Sequence, residues 1–457
     1  MLEKLIEYLK DKKILILGFG AEGQSTYKTI RKYLKEKQLY IADKKENFNE
    51  QFEMLSEDTN VISISGEKYL DNLEEYDIII KSPGISFKDI DTSKIEKKIK
   101  SQLELLLEFT DAYTIGITGT KGKSTTSTLI YKVLEEQGKN VLLLGNIGIP
   151  VFDYIDTITK NMYIVLEISS HQLQYVEKSP NISILLNIYE EHLDHYKSLE
   201  EYVNSKLNIL KFQNEEDYSI YNIDNELINK YLKIENLKSK KYEITYENTG
   251  KKADNAKKIY HEEHYIKDED NNILYDTNQE RKLLGKHNEN NIMFVLAVSE
   301  ILKLDLQKTV ETINKCDSLP HRMELVGKYN DIIFYNDSIA TIPEATINTI
   351  EALKNVNTLI LGGMDRGVHL EGLIKYLNKS NIENLICMPK TGYYIGNNIT
   401  NKNINVIYVE SMKEAVENAK NVTKKDTICV LSPAAASYGF YKNFKEKGEE
   451  YKRLVKN

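Results

Sequence analysis

The densest chemistry in the chain is the run Gly116-Ile117-Thr118-Gly119-Thr120-Lys121-Gly122-Lys123-Ser124-Thr125, between a β-branched stretch and one of helical periodicity. A glycine-rich turn in that setting aims several backbone N–H groups at phosphate oxygens. Lys123 is spaced to reach the β- and γ-phosphates of a nucleoside triphosphate, and the Ser124 hydroxyl to bind Mg2+. The spacing departs from the usual G-x-x-x-x-G-K-S/T pattern, because Ile117 stands where the first Gly belongs.

A second glycine-rich turn, Gly18-Phe19-Gly20-Ala21-Glu22-Gly23, follows an apolar strand and opens a helix, with Asp43 ending the next strand. This is the dinucleotide fingerprint in its proper context, and it reads as a nucleotide diphosphate site before it reads as NAD. The alternative is a tight strand–helix turn with no ligand. Ser82-Pro83-Gly84-Ile85, after another strand, is placed to close over the same ligand.

Acidic and imidazole groups gather after two further strands. Glu167 ends one of them, where a carboxylate holds Mg2+ or caps a helix. Asn187 to Tyr196 adds Glu190, Glu191, His192, Asp194 and His195, of which His192 is the candidate. Lys206 lies on the apolar stripe of Leu199, Val203 and Leu210, within a helix expected over Ser198–Leu210. Periodicity alone favours a lysine snorkelling at the stripe's edge. The other reading is a desolvated lysine of lowered pKa that takes up CO2 as a carbamate, a carboxylate mimic able to bind metal.

Later clusters are His287-Asn288-Glu289-Asn290-Asn291, whose amides could read a purine edge or cap a helix, and His321-Arg322. Ligand groups of the last section belong outside the C-terminal ends of its strands. Those ends carry Asn336-Asp337-Ser338-Ile339-Ala340-Thr341, Gly362-Gly363-Met364-Asp365-Arg366-Gly367 and Ser432-Pro433-Ala434-Ala435-Ala436-Ser437.

Positioning these residues takes alternating strands and helices, the mark of an α/β fold with parallel sheets. Strands are expected at Lys13–Leu17, Gln38–Ala42, Val61–Ile64 and Asp77–Lys81, then at Tyr113–Thr118, Asn140–Leu144, Tyr163–Ile168 and Ile182–Asn187. Helices are expected at Glu22–Lys35 and Lys123–Gln137. From Gln213 to Leu284 the polar texture and weak alternation suggest a small, mostly antiparallel sheet. A third section has strands at Asp331–Tyr335, Thr358–Leu361, Leu385–Met388, Val406–Val409 and Thr427–Leu431. Boundaries near residues 99 and 318 divide the 457 residues into domains 1–99, 100–318 and 319–457.

A net charge of −8 argues against a general nucleic-acid binder. Three cysteines, Cys316, Cys387 and Cys429, form no CxxC pair and fit a reducing compartment. The apolar run Ile14–Leu17 is too short for a signal peptide or a membrane span, so a cytoplasmic protein without membrane insertion is expected.

Together these residues resemble the Mur ligase family over essentially the whole chain. The specific pieces are G-T-K-G-K-S-T (119–125), N-I-G-I-P (146–150), L-E-I-S-S-H-Q-L (166–173), E-E-H-L-D-H-Y (190–196), H-N-E-N-N (287–291) and H-R-M-E (321–324). The ending S-P-A-A-A-S-Y-G-F-Y-K-N-F (432–444) is most similar to the branch that adds D-glutamate to UDP-N-acetylmuramoyl-L-alanine. The resemblance implies a Rossmann-like N-terminal domain for the UDP substrate, a P-loop-type central ATPase domain and a Rossmann-like C-terminal domain for the amino acid. It implies ATP and two Mg2+ ions, an acyl phosphate intermediate, and a monomer.

By the same resemblance, Lys123, His192 and Lys206 are catalytic; Ser124, Glu167, His192 and carbamylated Lys206 surround the metals. ATP would meet Gly119, Thr120, Lys121, Gly122, Lys123, Ser124, Thr125, Asn288, Asn291, Arg322 and Asp337. The UDP substrate would meet Gly18, Phe19, Gly20, Ala21, Glu22, Asp43, Ser82, Pro83, Gly84 and Asn146. The amino acid would meet Thr341, Ser437, Tyr438 and Phe444. Two positions depart from the family pattern: Lys121 replaces the Asn of G-T-N-G-K, and Ile339 replaces the Lys of N-D-S-K-A-T. Arg366 is the expected substitute cation. The competing readings are a sibling ligase for another amino acid, a folylpolyglutamate synthase, a nicotinamide-dependent oxidoreductase built on Gly18–Gly23, and a non-catalytic nucleotide sensor.

Overall fold

The strands Ile14–Leu17, Ile182–Leu185 and Ile428–Leu431 are buried along both faces. A strand buried on both faces needs helices on both sides, and parallel pairing supplies them through its crossover connections. A computed structural model describes residues 1–145, 149–192, 194–232, 236–246 and 256–457. Its strands form three sheets.

The first sheet is parallel, in the order β3-β2-β1-β4-β5. Its strands are β1 (Ile14–Leu17), β2 (Leu39–Asp43), β3 (Val61–Ser65), β4 (Ile78–Lys81) and β5 (Ile99–Lys100). The second contains β6 (Tyr113–Thr118), β7 (Val141–Gly145), β8 (Tyr163–Glu167), β9 (Ile182–Leu185), β10 (Tyr218–Asn222), β11 (Lys240–Thr245), β12 (Ala256–Glu262), β13 (Tyr265–Asp268) and β14 (Ile273–Asp276). Its order is β14-β13-β12-β11-β10-β9-β6-β8-β7. The third contains β15 (Glu324–Tyr329), β16 (Ile332–Asn336), β17 (Val356–Gly363), β18 (Asn384–Lys390), β19 (Asn405–Tyr408) and β20 (Ile428–Leu431), in the order β15-β16-β20-β17-β18-β19.

The stretch 213–284 corrects one expectation. Only β12, β13 and β14 pair antiparallel; β10, β11 and β12 continue the second sheet in parallel from β9. The small antiparallel sheet is therefore an extension of the central one. The physical reason lies in burial: β10 and β11 bury four successive residues each, Ser219 and Glu243 among them, as two-sided strands do.

The chain forms two compact units: Met1–Gln279 with Asn290–Ile313, and Glu280–Glu289 with Asn314–Asn457. The first holds the first two sheets, which share a core: Leu5, Ile16, Phe19, Leu103, Phe152, Leu166 and Leu207 belong to one apolar cluster. The amphipathic start of the chain is the helix Leu2–Leu9, which buries Leu5 and Leu9 there. No helix among the described residues is long and apolar enough to cross a membrane.

Candidate active site

Strand β6 ends at Thr118 in the middle of the second sheet, between β9 and β8, and the helix Lys123–Glu136 follows a four-residue turn. Gly119 and Gly122 hold φ of +154° and +90°, values that an L side chain rarely adopts. A Cβ on Gly122 would lie 2.6 Å from Asn291 Oδ1, so Asn291 rests directly on the turn. The loop after β9 braces the turn from the other side. Asn187 accepts from Lys121 N through its side-chain oxygen at 2.8 Å and donates to Lys121 O at 3.0 Å. Thr120 N donates to Asn187 O, and Tyr189 N donates to the Thr120 hydroxyl, both at 2.9 Å. Lys121 itself turns outward and pairs with Glu191 at 2.6 Å.

Two ammonium groups meet at one oxygen. Lys123 Nζ donates to Gly119 O at 2.8 Å, and Lys206 Nζ donates to the same oxygen at 3.1 Å. Lys206 sits in the helix Leu199–Lys211, capped by the Ser198 hydroxyl, and is 2% exposed. Snorkelling is thereby excluded, because the head group is as buried as the stem. Burial first, then the Lys123 charge, push the Lys206 pKa well below the ordinary lysine value. Tyr202, one turn earlier, lies under the Lys206 ammonium at 5.0 Å and meets the Thr120 hydroxyl at 3.0 Å.

Glu167 ends β8 opposite Ile117 of β6, so its buried carboxylate lies one strand from the turn. It caps no helix: Ser169 and Gln172 form the capping box of the next helix. Its oxygens and the Ser124 hydroxyl are of the hard oxygen type that Mg2+ prefers. Among the described residues no group of three or more His, Cys, Asp or Glu side chains could hold a metal alone. His192, at φ +62°, packs its ring 4.7 Å from His171, which also meets His195 at 4.2 Å and stacks on Tyr196 at 5.6 Å. Burial holds the pKa of His171 down to about 3 and that of His195 to about 4, with Lys81 and the neighbouring imidazoles adding to it. Both rings are neutral at ordinary pH.

In the first sheet, the fingerprint turn is built as its glycines require. Gly18 has φ +88°, and a Cβ on Gly23 would lie 2.0 Å from Gly18 O. Asp43 accepts from Phe19 N at 2.7 Å, and the Ser82 hydroxyl donates to Gly18 O at 2.9 Å. The Phe19 side chain is buried against Tyr27, Phe48 and Phe52, and its carbonyl accepts from the Gln24 side chain at 3.2 Å. Gln172 donates to the Glu22 carboxylate at 2.8 Å, so the capping box after Glu167 is tied to the fingerprint helix. Pro83 and Gly84 follow at the surface side of this turn. Asn146 lies outside the described residues.

The second unit gathers its own groups. Asp337 accepts from Thr349 Oγ1 at 2.6 Å, Ser432 Oγ at 3.0 Å and Met323 N at 3.1 Å, and burial raises its pKa to about 6. The Arg322 charge opposes that rise and also helps hold His287 at about 4, behind burial. Asn288 donates to Leu284 O at 2.8 Å. Arg366 lies over the Tyr438 ring at 5.0 Å, beside Ser437, whose buried hydroxyl has no hydrogen-bond partner among the described residues. Phe444 O accepts from the Ser338 hydroxyl at 2.9 Å, and Thr341 is half-buried at the end of the same loop.

Sequence reasoning assigns no role to Asn187, Tyr202 or Lys81. Tyr202 was within reach of it, four residues before Lys206 and so on the same helical face. Asn187 and Lys81 act through strand order, which periodicity does not carry.

The chain matches the model of the Mur ligase middle domain over residues 117–299 and that of the Mur ligase, glutamate ligase domain, over 321–434. It is 32% identical over 461 residues to the UDP-N-acetylmuramoylalanine–D-glutamate ligase of Clostridioides difficile, covering 98% of this chain and 99% of that protein. It is 33% identical over 457 residues to the protein of the same name from Christiangramia forsetii, covering 98% and 99%. Among solved structures, MurF from Acinetobacter baumannii aligns with a TM-score of 0.60 at 10% identity, covering 99% of this chain and 98% of that one. MurF ligase from Thermotoga maritima in complex with ADP aligns with a TM-score of 0.57 at 15% identity, covering 99% and 96%. At those identities the structures speak for the fold alone.

Proposed function

Because this chain belongs to the Mur ligase family and is an ATP-dependent ligase, we propose that it joins D-glutamate to UDP-N-acetylmuramoyl-L-alanine for peptidoglycan synthesis in the cytoplasm. The observation that carries the proposal is the convergence of Lys123 and Lys206 on Gly119 O, one strand from Glu167. Similarity to D-glutamate ligases along 98% of the chain supports the choice of amino acid.

In this reading residues 1–99 hold the UDP substrate, 100–318 hold ATP and 319–457 hold the amino acid. The turn Gly119–Gly122 binds the phosphates through its N–H groups, with Thr125 and Asn291 beside it. Lys123 leaves Gly119 O for the γ-phosphate, and the carboxylate of the UDP substrate attacks phosphorus to give an acyl phosphate and ADP. The amine of D-glutamate then attacks the acyl carbon, and phosphate leaves. Mg2+, held by Ser124, Glu167 and carbamylated Lys206, would supply Lewis-acid neutralisation of the phosphate charge. Lys206 reaches the carbamate when its neutral amine adds to CO2 and loses a proton. His192 orients the acyl end, while Asn288, Arg322 and Asp337 belong to the nucleotide side.

Thr341, Ser437, Tyr438 and Phe444 receive the amino acid, and Arg366 supplies the cation absent at Ile339. Accordingly, Arg366→Ala should raise KM for D-glutamate on the order of ten-fold, with KM for ATP moving less than about two-fold. Small, equal changes in both would remove Arg366 from the site. The deciding experiment is phosphate release with ATP, Mg2+ and UDP-N-acetylmuramoyl-L-alanine across a panel of amino acids. Release with D-glutamate alone supports the proposal; release with another amino acid would make the chain a sibling ligase. No release with any of them would reject this acceptor.

A further inference from the structure

The third sheet closes around an ammonium group that has no acidic partner among the described residues. Lys447, in the first turn of the helix Phe444–Lys456, is 1% exposed. Its Nζ donates to Gly362 O at 3.3 Å and lies 5.8 Å from the centre of the Tyr441 ring. Burial alone lowers its pKa, to about 8, and no carboxylate offsets that. A buried charge without a counter-ion is costly, so its placement calls for a gain elsewhere.

The gain lies in the turn it touches. Gly362 and Gly363 have φ of +123° and +155°. A Cβ on Gly362 would lie 2.5 Å from Met388 O, and one on Gly363 would lie 2.5 Å from Ala436 O. The turn is pinned by Gly362 N to Pro433 O and Met364 N to Ala436 O, each at 2.9 Å, and by the Thr391 hydroxyl to Gly363 O at 3.0 Å. Of these groups the Gly362 carbonyl alone points to a side-chain cation. Four residues after Gly362, the same turn delivers Arg366 to the Tyr438 ring.

We propose that Lys447 is a positioning residue that anchors the Gly362–Gly367 turn from the final helix, holding Arg366 where it meets the carboxylate of the incoming amino acid. This rests on the assignment of Arg366 and Ser437 to the amino-acid site. Lys447→Met keeps the stem and removes the donor; Lys447→Arg keeps a donor and the charge. In Lys447→Met, amide hydrogen exchange at Met364–Gly367 should quicken, and KM for D-glutamate should rise on the order of ten-fold or more. KM for ATP should stay within about two-fold, and Lys447→Arg should recover most of the loss. Unchanged exchange in the turn overturns the anchoring. Equal rises in every KM, or no recovery by arginine, reduce Lys447 to packing and overturn the proposal. If Arg366→Ala leaves KM for D-glutamate unchanged while exchange still quickens in Lys447→Met, the amino-acid assignment is what failed, and the positioning role falls with it.

Discussion

Lys206 shows how a single residue is decided by its surroundings. Two ammonium groups within reach of one carbonyl oxygen repel each other, and burial together with the Lys123 charge lowers the Lys206 pKa well below the ordinary lysine value. A neutral amine is also the form that reacts with CO2. Lys206→Ala should therefore cut phosphate release at least about 100-fold, with partial recovery on adding a short carboxylic acid to stand in for the carbamate. Full activity in the variant would exclude the role. His171 gives a stability counterpart. Its folded pKa of about 3 lies below the ordinary 6.5, so between those values the unfolded chain binds the extra proton. Stability is complete above about pH 6.5 and is lost as the pH falls toward 3. Thermal melts of His171→Phe should show a loss of Tm between pH 6.5 and 4.5 that is smaller by about 2 °C. The apolar stripe made Lys206 visible in the sequence, yet it also favoured a snorkelling head group. What settles its burial is a carbonyl 87 residues earlier, which no local pattern encodes.

Among the elements, the glycine turns were the most legible, because their spacing is their chemistry. Gly18–Gly23 and Gly119–Gly122 sit on the strand–helix joints that their sequences require, and strand ends fall within a residue or two of the expected ones. The stretch from 213 to 284 departs from its sequence pattern because weak alternation looks the same in a half-exposed hairpin and in a parallel strand that buries polar side chains. Partner strands, contributed from far along the chain, made the difference. The close approach at Gly23 can be tested directly. A methyl there would sit 2.0 Å from Gly18 O, so Gly23→Ala should destabilise by about 2–3 kcal/mol. It should also raise KM for the UDP substrate more than KM for ATP. An unchanged Tm and KM would mean that the turn can open without cost.

For the whole molecule, compactness groups the chain into two units whose segments alternate along the sequence. Residues 290–313 belong with the first unit although ten residues of the second precede them. They carry Ile292 to Val298, each at most 2% exposed. A fragment of residues 1–279 should therefore lack a cooperative thermal transition, while one of residues 1–313 should regain it. Cooperative melting of the shorter fragment, followed by near-UV circular dichroism, would show the returning helices to be dispensable.

That interleaving sets a schedule during translation. The phosphate turn leaves the ribosome early, but Asn291, which rests on Gly122, emerges well over a hundred residues later. A nascent chain thus holds the glycines proposed to bind phosphate long before the helix that braces them exists. Prematurely released chains should then be inert toward ATP, and the growing cell is spared fragments that hydrolyse it without making product.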